Sequence, residues 1–212
     1  MALAESALID LSVFPEGWTE IPVDDATEEE SAEDEEYERQ VDECLGVDSD
    51  DDAESDLLEA REAQSGEFVN EEASTQPSVE HLVTVADDEA MAIRAMERAG
   101  TEGAAACLQE TLQAFFDSDP EFSEDVGGVE LGDVTVSRTD AGDDPTARVG
   151  YRIDIPLSLG DETFVQYLEI VYQRQGRALS QLQLASFAVP FPEEGLVSLS
   201  DDVVIRLATI GS

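Results

Sequence analysis

The sequence of 212 residues contains no lysine and only one histidine, His81. Without lysine the chain cannot form a P-loop, a Schiff base or a catalytic lysine site, because each of these needs the ε-amino group. The glycine patterns of a nucleophile elbow and of a dinucleotide-binding loop are absent as well. These absences exclude several large classes of enzyme.

The few residues that could still act as a base or a soft metal ligand are poorly placed for it. His81 falls in the middle of a predicted strand, on its apolar face, so we expect a packed side chain rather than a catalytic base. One histidine and two separated cysteines are too few ligands for zinc. We therefore predict no catalytic residues, no cofactor and no enzyme activity.

Positive charge is also scarce. Ten bases, all of them arginine, stand against 52 acids and leave a net charge of -42. Such a field repels nucleic-acid phosphates and anionic lipid surfaces, so we predict no nucleic-acid partner. Scattered acids without lysine favour a surface adapted to high salt, where a Debye length of about 3 Å at 1 M screens self-repulsion. The alternative is a specific role for the charge, in binding cations or a basic partner.

Long apolar runs are absent too. No stretch approaches the roughly 18 apolar residues of a membrane-spanning helix. The first eleven residues, MALAESALIDL, lack a basic region and include Glu5 and Asp10, so we expect no signal peptide there. The expected protein is either cytoplasmic or an extracytoplasmic chain that lacks its signal segment and begins with an added methionine.

The clearest pattern present is a set of three antiparallel strands between residues 147 and 189. Apolar residues alternate with polar ones from Val149 to Leu159, which predicts a strand with one buried face. Two glycine-containing turns then delimit the other strands. These are predicted over Thr163–Arg174, which is apolar on both faces, and over Arg177–Val189.

The remaining elements place helices around this meander. Helices are predicted over Glu35–Leu45, Asp56–Gln64, the segment from its N-cap Asp87 to Ala99, Glu102–Phe116 and Glu193–Ile210. Further strands are predicted over Glu67–Asn70, Ser78–Ala86 and Val129–Arg138. The turn Phe14–Trp18 is expected to place Trp18 at the edge of the core. This order favours an α+β fold, an antiparallel β-sheet with a C-terminal meander flanked by helices.

Two acidic segments, at about 24–36 and 48–56, are predicted to be partly flexible parts of a single domain over residues 1–212. One of them resembles a calcium-binding loop, and the matching residues are Asp48, Asp50, Asp52, Asp56 and Glu59. However, Ala53 occupies the position where such loops carry glycine. In so acidic a region the match arises easily, so we expect a solvated loop and no metal site.

The two cysteines, Cys44 and Cys107, both fall on the apolar side of predicted helices. Two interpretations are open: two buried free thiols, or a disulfide. A disulfide would require an oxidising compartment. The pairing therefore bears directly on where the protein is located.

Five short motifs are spread along the chain. They are Pro15-Glu16-Gly17-Trp18, Cys44-Leu45-Gly46, Ala106-Cys107-Leu108, Val149-Gly150-Tyr151-Arg152 and Gly176-Arg177. Together they resemble the actinobacterial exported sensor-like domains typified by the extracellular domain of the PknH-type serine/threonine kinases, with LpqN-type lipoproteins as fold relatives. The likeness spans most of residues 8–210.

The resemblance implies an extracytoplasmic α/β sandwich of the Mog1/PsbP-like type, with a cleft and a role in sensing or binding. We predict a disulfide between Cys44 and Cys107, and a full-length form that is secreted or anchored to a membrane. The partner is expected to be a small molecule, a lipid or cell-envelope component, or a protein. The alternatives are a carboxylate-dependent hydrolase and a cytoplasmic acidic protein that binds a basic partner.

We expect any ligand to lie between the sheet and its covering helices, where a concave apolar site is most easily built. The second meander strand presents Phe164, Tyr167 and Tyr172 among small or polar neighbours. These three aromatic residues define the predicted cleft.

Overall fold

The architecture is that of a computed structural model, which describes residues 2–22, 37, 39–41, 44, 62–118, 129–139 and 147–211. Its helices are α1 (Ala2–Glu5), α2 (Glu89–Ala99), α3 (Ala104–Ser118) and α4 (Glu193–Ala208). Its strands are β1 (Thr19–Ile21), β2 (Glu62–Gln64), β3 (Glu67–Val69), β4 (Ser78–Val85), β5 (Glu130–Leu131), β6 (Thr135–Thr139), β7 (Arg148–Leu159), β8 (Glu162–Gln175) and β9 (Ala178–Phe187). The predicted α+β class is confirmed.

The nine strands in the described part of the chain form one open antiparallel sheet. Its order is β1-β3-β4-β9-β8-β7-β5, with β2 also paired to β4 and β6 to β7. The predicted meander is present as β7, β8 and β9, joined by tight turns at Gly160 and Gly176. At Gly176 φ is +59°, and a Cβ would stand 2.1 Å from the carbonyl oxygen of Gly211, so this turn requires glycine.

Helices cover both faces of the sheet. The face that we call the α4 face carries the largest cluster of buried residues, in which Val83, Leu182 and Val203 pack together. The opposite face, the α3 face, packs Leu112 of α3 against Ile153 of β7. Helix α3 contacts β6, which pairs with β7, and α2 contacts β8, β7 and β9. The helices that the structure describes leave a cavity over the part of this face where Glu80 of β4 and Gln183 of β9 lie. No helix that the structure describes is long and apolar enough to span a bilayer.

The N-terminal segment is anchored on the α4 face. The backbone N–H of Ile9 donates a hydrogen bond of 3.1 Å to Nδ1 of His81, which is fully buried. Arg206 of α4 donates to the carbonyl oxygen of Leu8 at 2.6 Å and pairs with Asp10 at 3.0 Å. Burial, and then the nearby Arg206, lower the pKa of His81 to about 3, so the imidazole is neutral. The sole histidine is a packing and anchoring residue.

Several predicted elements differ from the structure. Residues 62–64 form strand β2 rather than the end of a helix over Asp56–Gln64, because they pair with β4. The N-cap of α2 is Asp88, not Asp87: its side chain accepts a hydrogen bond of 2.8 Å from Met91. Helix α3 begins at Ala104 rather than at residue 102.

The predicted strand Val129–Arg138 is divided into two pieces, β5 and β6. Between them, the N–H of Gly132 donates a hydrogen bond of 2.8 Å to the carbonyl oxygen of Pro156, outside the regular ladder. Most of the predicted helix Glu35–Leu45 and both acidic segments, 24–36 and 48–56, lie outside the described residues. The residues of that helix that are described, at 37, 39–41 and 44, are helical.

Candidate functional site

A cavity of about 340 Å³ opens between the N-terminal segment, the β3–β4 loop and the start of α4. Three aromatic side chains line it, and we call it the aromatic pocket: Phe14, Trp18 and Phe191. Prolines complete much of its wall, namely Pro15, Pro77, Pro190 and Pro192. It lies on the α4 face, between the end of the sheet and its covering helix.

The N-terminal wall is built around a stacked pair of rings. The centroids of Phe14 and Trp18 are 4.5 Å apart with an interplanar angle of 24°, and Phe14 also lies 4.8 Å from the buried Phe68. Gly17, at φ +101°, makes the turn that brings the indole back over Phe14. Trp18 is half-buried against the core, as predicted, and its remaining surface lines the pocket.

The opposite wall comes from the connection between β9 and α4. Ala188 there adopts φ +65°, a conformation that residues with a side chain rarely take. The turn is held by a hydrogen bond of 2.9 Å from Ser186 Oγ to the carbonyl oxygen of Val189. Pro192 then occupies the N-cap position of α4 and makes no side-chain capping bond. Strained backbone of this kind is concentrated at functional sites in proteins.

The β3–β4 loop, residues 70–77, closes the third side. Asn70 accepts a hydrogen bond of 3.2 Å from the N–H of Ala73, and its own N–H donates to the carbonyl oxygen of Pro77. The N–H of Phe187 donates to the carbonyl oxygen of Thr75 at 2.9 Å, which ties the loop to β9. Gln76 in this loop has φ +39°, a second non-glycine residue with positive φ close to the pocket.

The lining of the aromatic pocket carries no charge among the residues that the structure describes. Its polar groups are the side chains of Asn70, Thr75, Ser186 and Ser198. In a chain with 52 acids, an uncharged concave surface is an exception to the general composition. The arrangement can bind a neutral apolar molecule and orient it through a few hydroxyl and amide groups.

The predicted cleft residues do not come together. Phe164 and Tyr172 occupy the α3 face, where Phe164 packs near Phe187 at 6.4 Å and Tyr172 packs against the cluster that contains Met96. Tyr167 is an odd number of positions from both, so it points to the α4 face. The structure therefore places the three side chains on two faces of the sheet, and a role of any of them in binding stays a prediction. The sequence signals for the aromatic pocket were instead the turn Phe14–Trp18 and the prolines before α4.

The two cysteines are joined in a disulfide, with their Cα atoms 5.4 Å apart. This agrees with the predicted pairing and excludes two free thiols. Cys44 is 7% exposed, as expected from its helical pattern, whereas Cys107 is exposed and does not lie on the inner side of α3. The buried side of α3 is occupied by Leu108 and Leu112, so the disulfide joins this helix beside its buried face.

The residues of the calcium-loop pattern, Asp48, Asp50, Asp52, Asp56 and Glu59, lie outside the described residues. Within the part of the chain that is described, no three histidine, cysteine or acidic side chains converge as metal ligands would. The most deeply buried carboxylate among the described residues, that of Glu169, is 1% exposed. Its Oε1 accepts a hydrogen bond of 2.8 Å from Nε of Arg152, so this carboxylate is engaged in an ion pair.

No protein-family model matches the chain, and no curated protein is similar to it in sequence. Among solved structures, it is similar to the extracellular domain of PknH from Mycobacterium tuberculosis, with 6% identity and a TM-score of 0.34 over 68% of this chain and 63% of that chain. LpqN, involved in cell envelope biogenesis of the same organism, is 13% identical with a TM-score of 0.27 over 68% of each chain. An uncharacterised protein from Rhizobium leguminosarum is 14% identical with a TM-score of 0.21, over 63% of this chain and 98% of that one.

The chain spans less than two thirds of the PknH domain that it matches. These identities and TM-scores describe a distant likeness of fold to the two types of protein that the sequence motifs resemble.

Proposed function

We propose that the protein is a non-catalytic binding domain whose aromatic pocket takes a neutral, largely apolar small molecule. The observation that carries this proposal is the contrast between the pocket and the rest of the chain. The net charge is -42, yet the described lining of the pocket is aromatic, proline-rich and uncharged. An anion would be repelled by the surrounding field, and a cation would find no carboxylate in the pocket.

The dimensions support a small ligand. A volume of about 340 Å³ lies at the lower end of the range of roughly 300–1,000 Å³ for ligand pockets. Phe14 and Trp18 are already stacked, so little side-chain ordering is needed on binding. A lipid-like or cell-envelope component with an apolar part of this size would fit the proposal.

An extracytoplasmic location is part of the proposal. The disulfide between Cys44 and Cys107 supports it, because such bonds persist mainly in oxidising compartments. The full-length form would then be secreted or anchored to a membrane, and the acidic surface would serve in a salt-rich exterior.

The test uses Trp18 as an internal reporter, because it is the only tryptophan in the chain. The probe is N-phenyl-1-naphthylamine, a neutral apolar fluorophore that can accept energy from indole. We expect saturable binding with energy transfer from Trp18. Ser198→Phe should abolish binding, because the exposed Ser198 lines the pocket and a ring there would fill it.

The matched control is Val197→Phe, on the same helix at an exposed position that does not line the pocket. Equal binding by both variants, with unchanged melting temperatures, would contradict the proposal. Steady turnover of p-nitrophenyl esters by the wild-type protein would instead favour the hydrolase alternative.

A further inference from the structure

A second cavity lies on the other side of the sheet. It has a volume of about 710 Å³ and occupies the open part of the α3 face, over β4, β9 and β8 and the short edge strands β1 and β3. Four amide side chains line it, those of Asn70, Gln76, Gln166 and Gln183, and we call it the amide groove. Asn70 and Pro77 line both cavities, so the β3–β4 loop is a wall that the amide groove shares with the aromatic pocket.

The floor of the groove is set by strand register. Gln183 of β9 lies directly opposite Glu80 of β4, and Gln166 of β8 lies directly opposite Phe187 of β9. Side chains at such directly opposed positions are about 5 Å apart at Cβ, so amides, carboxylate and ring form one continuous surface. All four are half-buried.

The polar groups of this floor have free hydrogen-bonding capacity. The side chains of Glu80, Gln166 and Gln183 make no hydrogen bond or ion pair with any residue that the structure describes. Each amide offers both a donor and an acceptor, held in place by a strand. A ligand rich in hydroxyl groups, which also donate and accept, is complementary to such a surface, and Phe187 adds an apolar contact for ring C–H groups.

A cation is the other ligand to consider, because Glu67 and Glu71 also line the groove. The geometry disfavours a metal ion, because no three acidic, histidine or cysteine side chains among the described residues converge as its ligands would. Burial, and then the neighbouring Glu67, raise the pKa of Glu80, because both make the charged form of this carboxyl group less favourable. Neutral amides thus surround a carboxyl group that is already partly removed from water.

We propose that the amide groove is a second binding site, and that it takes a neutral oligosaccharide. The proposal rests on the register of β4, β9 and β8 and on the free amide groups, and it is independent of the ligand of the aromatic pocket. The length of the groove, from β1 to β8, fits several linked sugar units rather than a single one.

The test titrates the whole chain with maltohexaose, cellohexaose and mannohexaose, each to about 10 mM, which detects dissociation constants near 1 mM. Binding is followed by 1H–15N chemical-shift changes, which we expect on β4, β8 and β9. Gln183→Ala and Gln166→Ala should each weaken binding about tenfold, because each removes a donor and an acceptor.

The matched control is Gln181→Ala. Gln181 lies on the same strand and the same face, opposite Leu82, but outside the groove. It should bind the sugar as the wild type does. Both glutamine variants of the groove should keep full binding of N-phenyl-1-naphthylamine, which separates this site from the aromatic pocket.

Three results would overturn the proposal. One is the absence of shift changes on these strands with all three sugars. Another is a loss of affinity in Gln181→Ala as large as that in Gln183→Ala. The third is binding of hexa-arginine in the groove, abolished by Glu80→Gln, while no sugar binds, since this would make the groove a cation site.

Discussion

Gln113 of α3 reaches the edge of the sheet, where its Oε1 accepts a hydrogen bond of 2.8 Å from the backbone N–H of Val134. One turn earlier, Gln109 accepts a hydrogen bond of 3.1 Å from the N–H of Val136. Gln109 and Gln113 are four residues apart and lie on one face of the helix, whereas Val134 and Val136 are two residues apart and present their N–H groups at one edge of the strand. The two glutamines can therefore bond to the two N–H groups side by side. Helix α3 therefore covers backbone donors that would otherwise leave an unpaired sheet edge.

Removing one of these caps should destabilise the fold. Gln113→Ala leaves the N–H of the buried Val134 without its partner, and we expect a loss of about 1–2 kcal/mol in the free energy of unfolding. The double variant with Gln109→Ala should also increase self-association, because the edge becomes available to a second chain. Urea unfolding and light scattering measure the two effects. Glu110→Ala, exposed on the same helix, is the control, and an equal loss there would refute the capping role.

The disulfide should contribute substantially to stability. It joins residues separated by 63 positions, and on the chain-entropy model a loop of this length restricts the unfolded chain by about 4 kcal/mol. We expect the double variant Cys44→Ala with Cys107→Ala to show a markedly lower urea midpoint. Dithiothreitol should shift the wild type in the same direction and leave the variant unchanged. A wild type that is insensitive to the reductant while its thiols become reactive would contradict the expected contribution.

Stability should fall as the pH is lowered from about 6.5 towards 3, through His81. Its pKa is lowered in the folded state to about 3 from the usual 6.5, so the unfolded chain binds more protons throughout this interval. The stabilisation is complete above 6.5 and is lost progressively below it, to an extent on the order of 4 kcal/mol at pH 3.

His81→Gln, which does not titrate, should lack this part of the pH dependence, and the difference between the two urea midpoints measured against pH isolates it. Asp10 acts in a separate window. Hydrogen bonds from Ser12, and then from Arg206, lower its pKa to about 2 from 3.8, so its contribution is lost only below about pH 4. Parallel pH profiles for the wild type and His81→Gln would show that the imidazole is not the source.

Salt should raise the melting temperature steeply. A net charge of -42 on a chain of 22.9 kDa opposes compaction, and at about 10 mM salt the Debye length of about 30 Å lets most charge pairs interact. At about 1 M salt only neighbouring charges still interact. Because the free energy of unfolding of a domain is typically about 5–15 kcal/mol, this loss of repulsion changes its stability substantially. We expect a steep rise between these NaCl concentrations.

The comparison with calcium separates general screening from a specific site. If the acidic segment Asp48–Glu59 bound calcium, micromolar to millimolar calcium would stabilise far more than NaCl of equal ionic strength. We expect the two salts to differ little once ionic strength is matched. A flat response to NaCl would contradict the salt-adapted surface and return attention to a basic partner.

The sequence by itself determined the direction of most side chains. The alternation in β7, the turns at Gly160 and Gly176 and the apolar stripe of α4 are local patterns, and each predicted its element to within a few residues. The same pattern indicated a buried His81, and the structure confirms this burial. These inferences succeeded because they depend on neighbours along the chain.

Only the tertiary structure decided which distant segments meet. Phe14 and Phe191 line one pocket although they are far apart in sequence, and Gln166, Gln183 and Glu80 share a floor only through the register of three strands. Phe164, Tyr167 and Tyr172 are close in sequence on one strand, yet Tyr167 lies on the opposite face of the sheet from the other two. Register and helix placement follow from the sum of long-range contacts, which no short window of sequence contains.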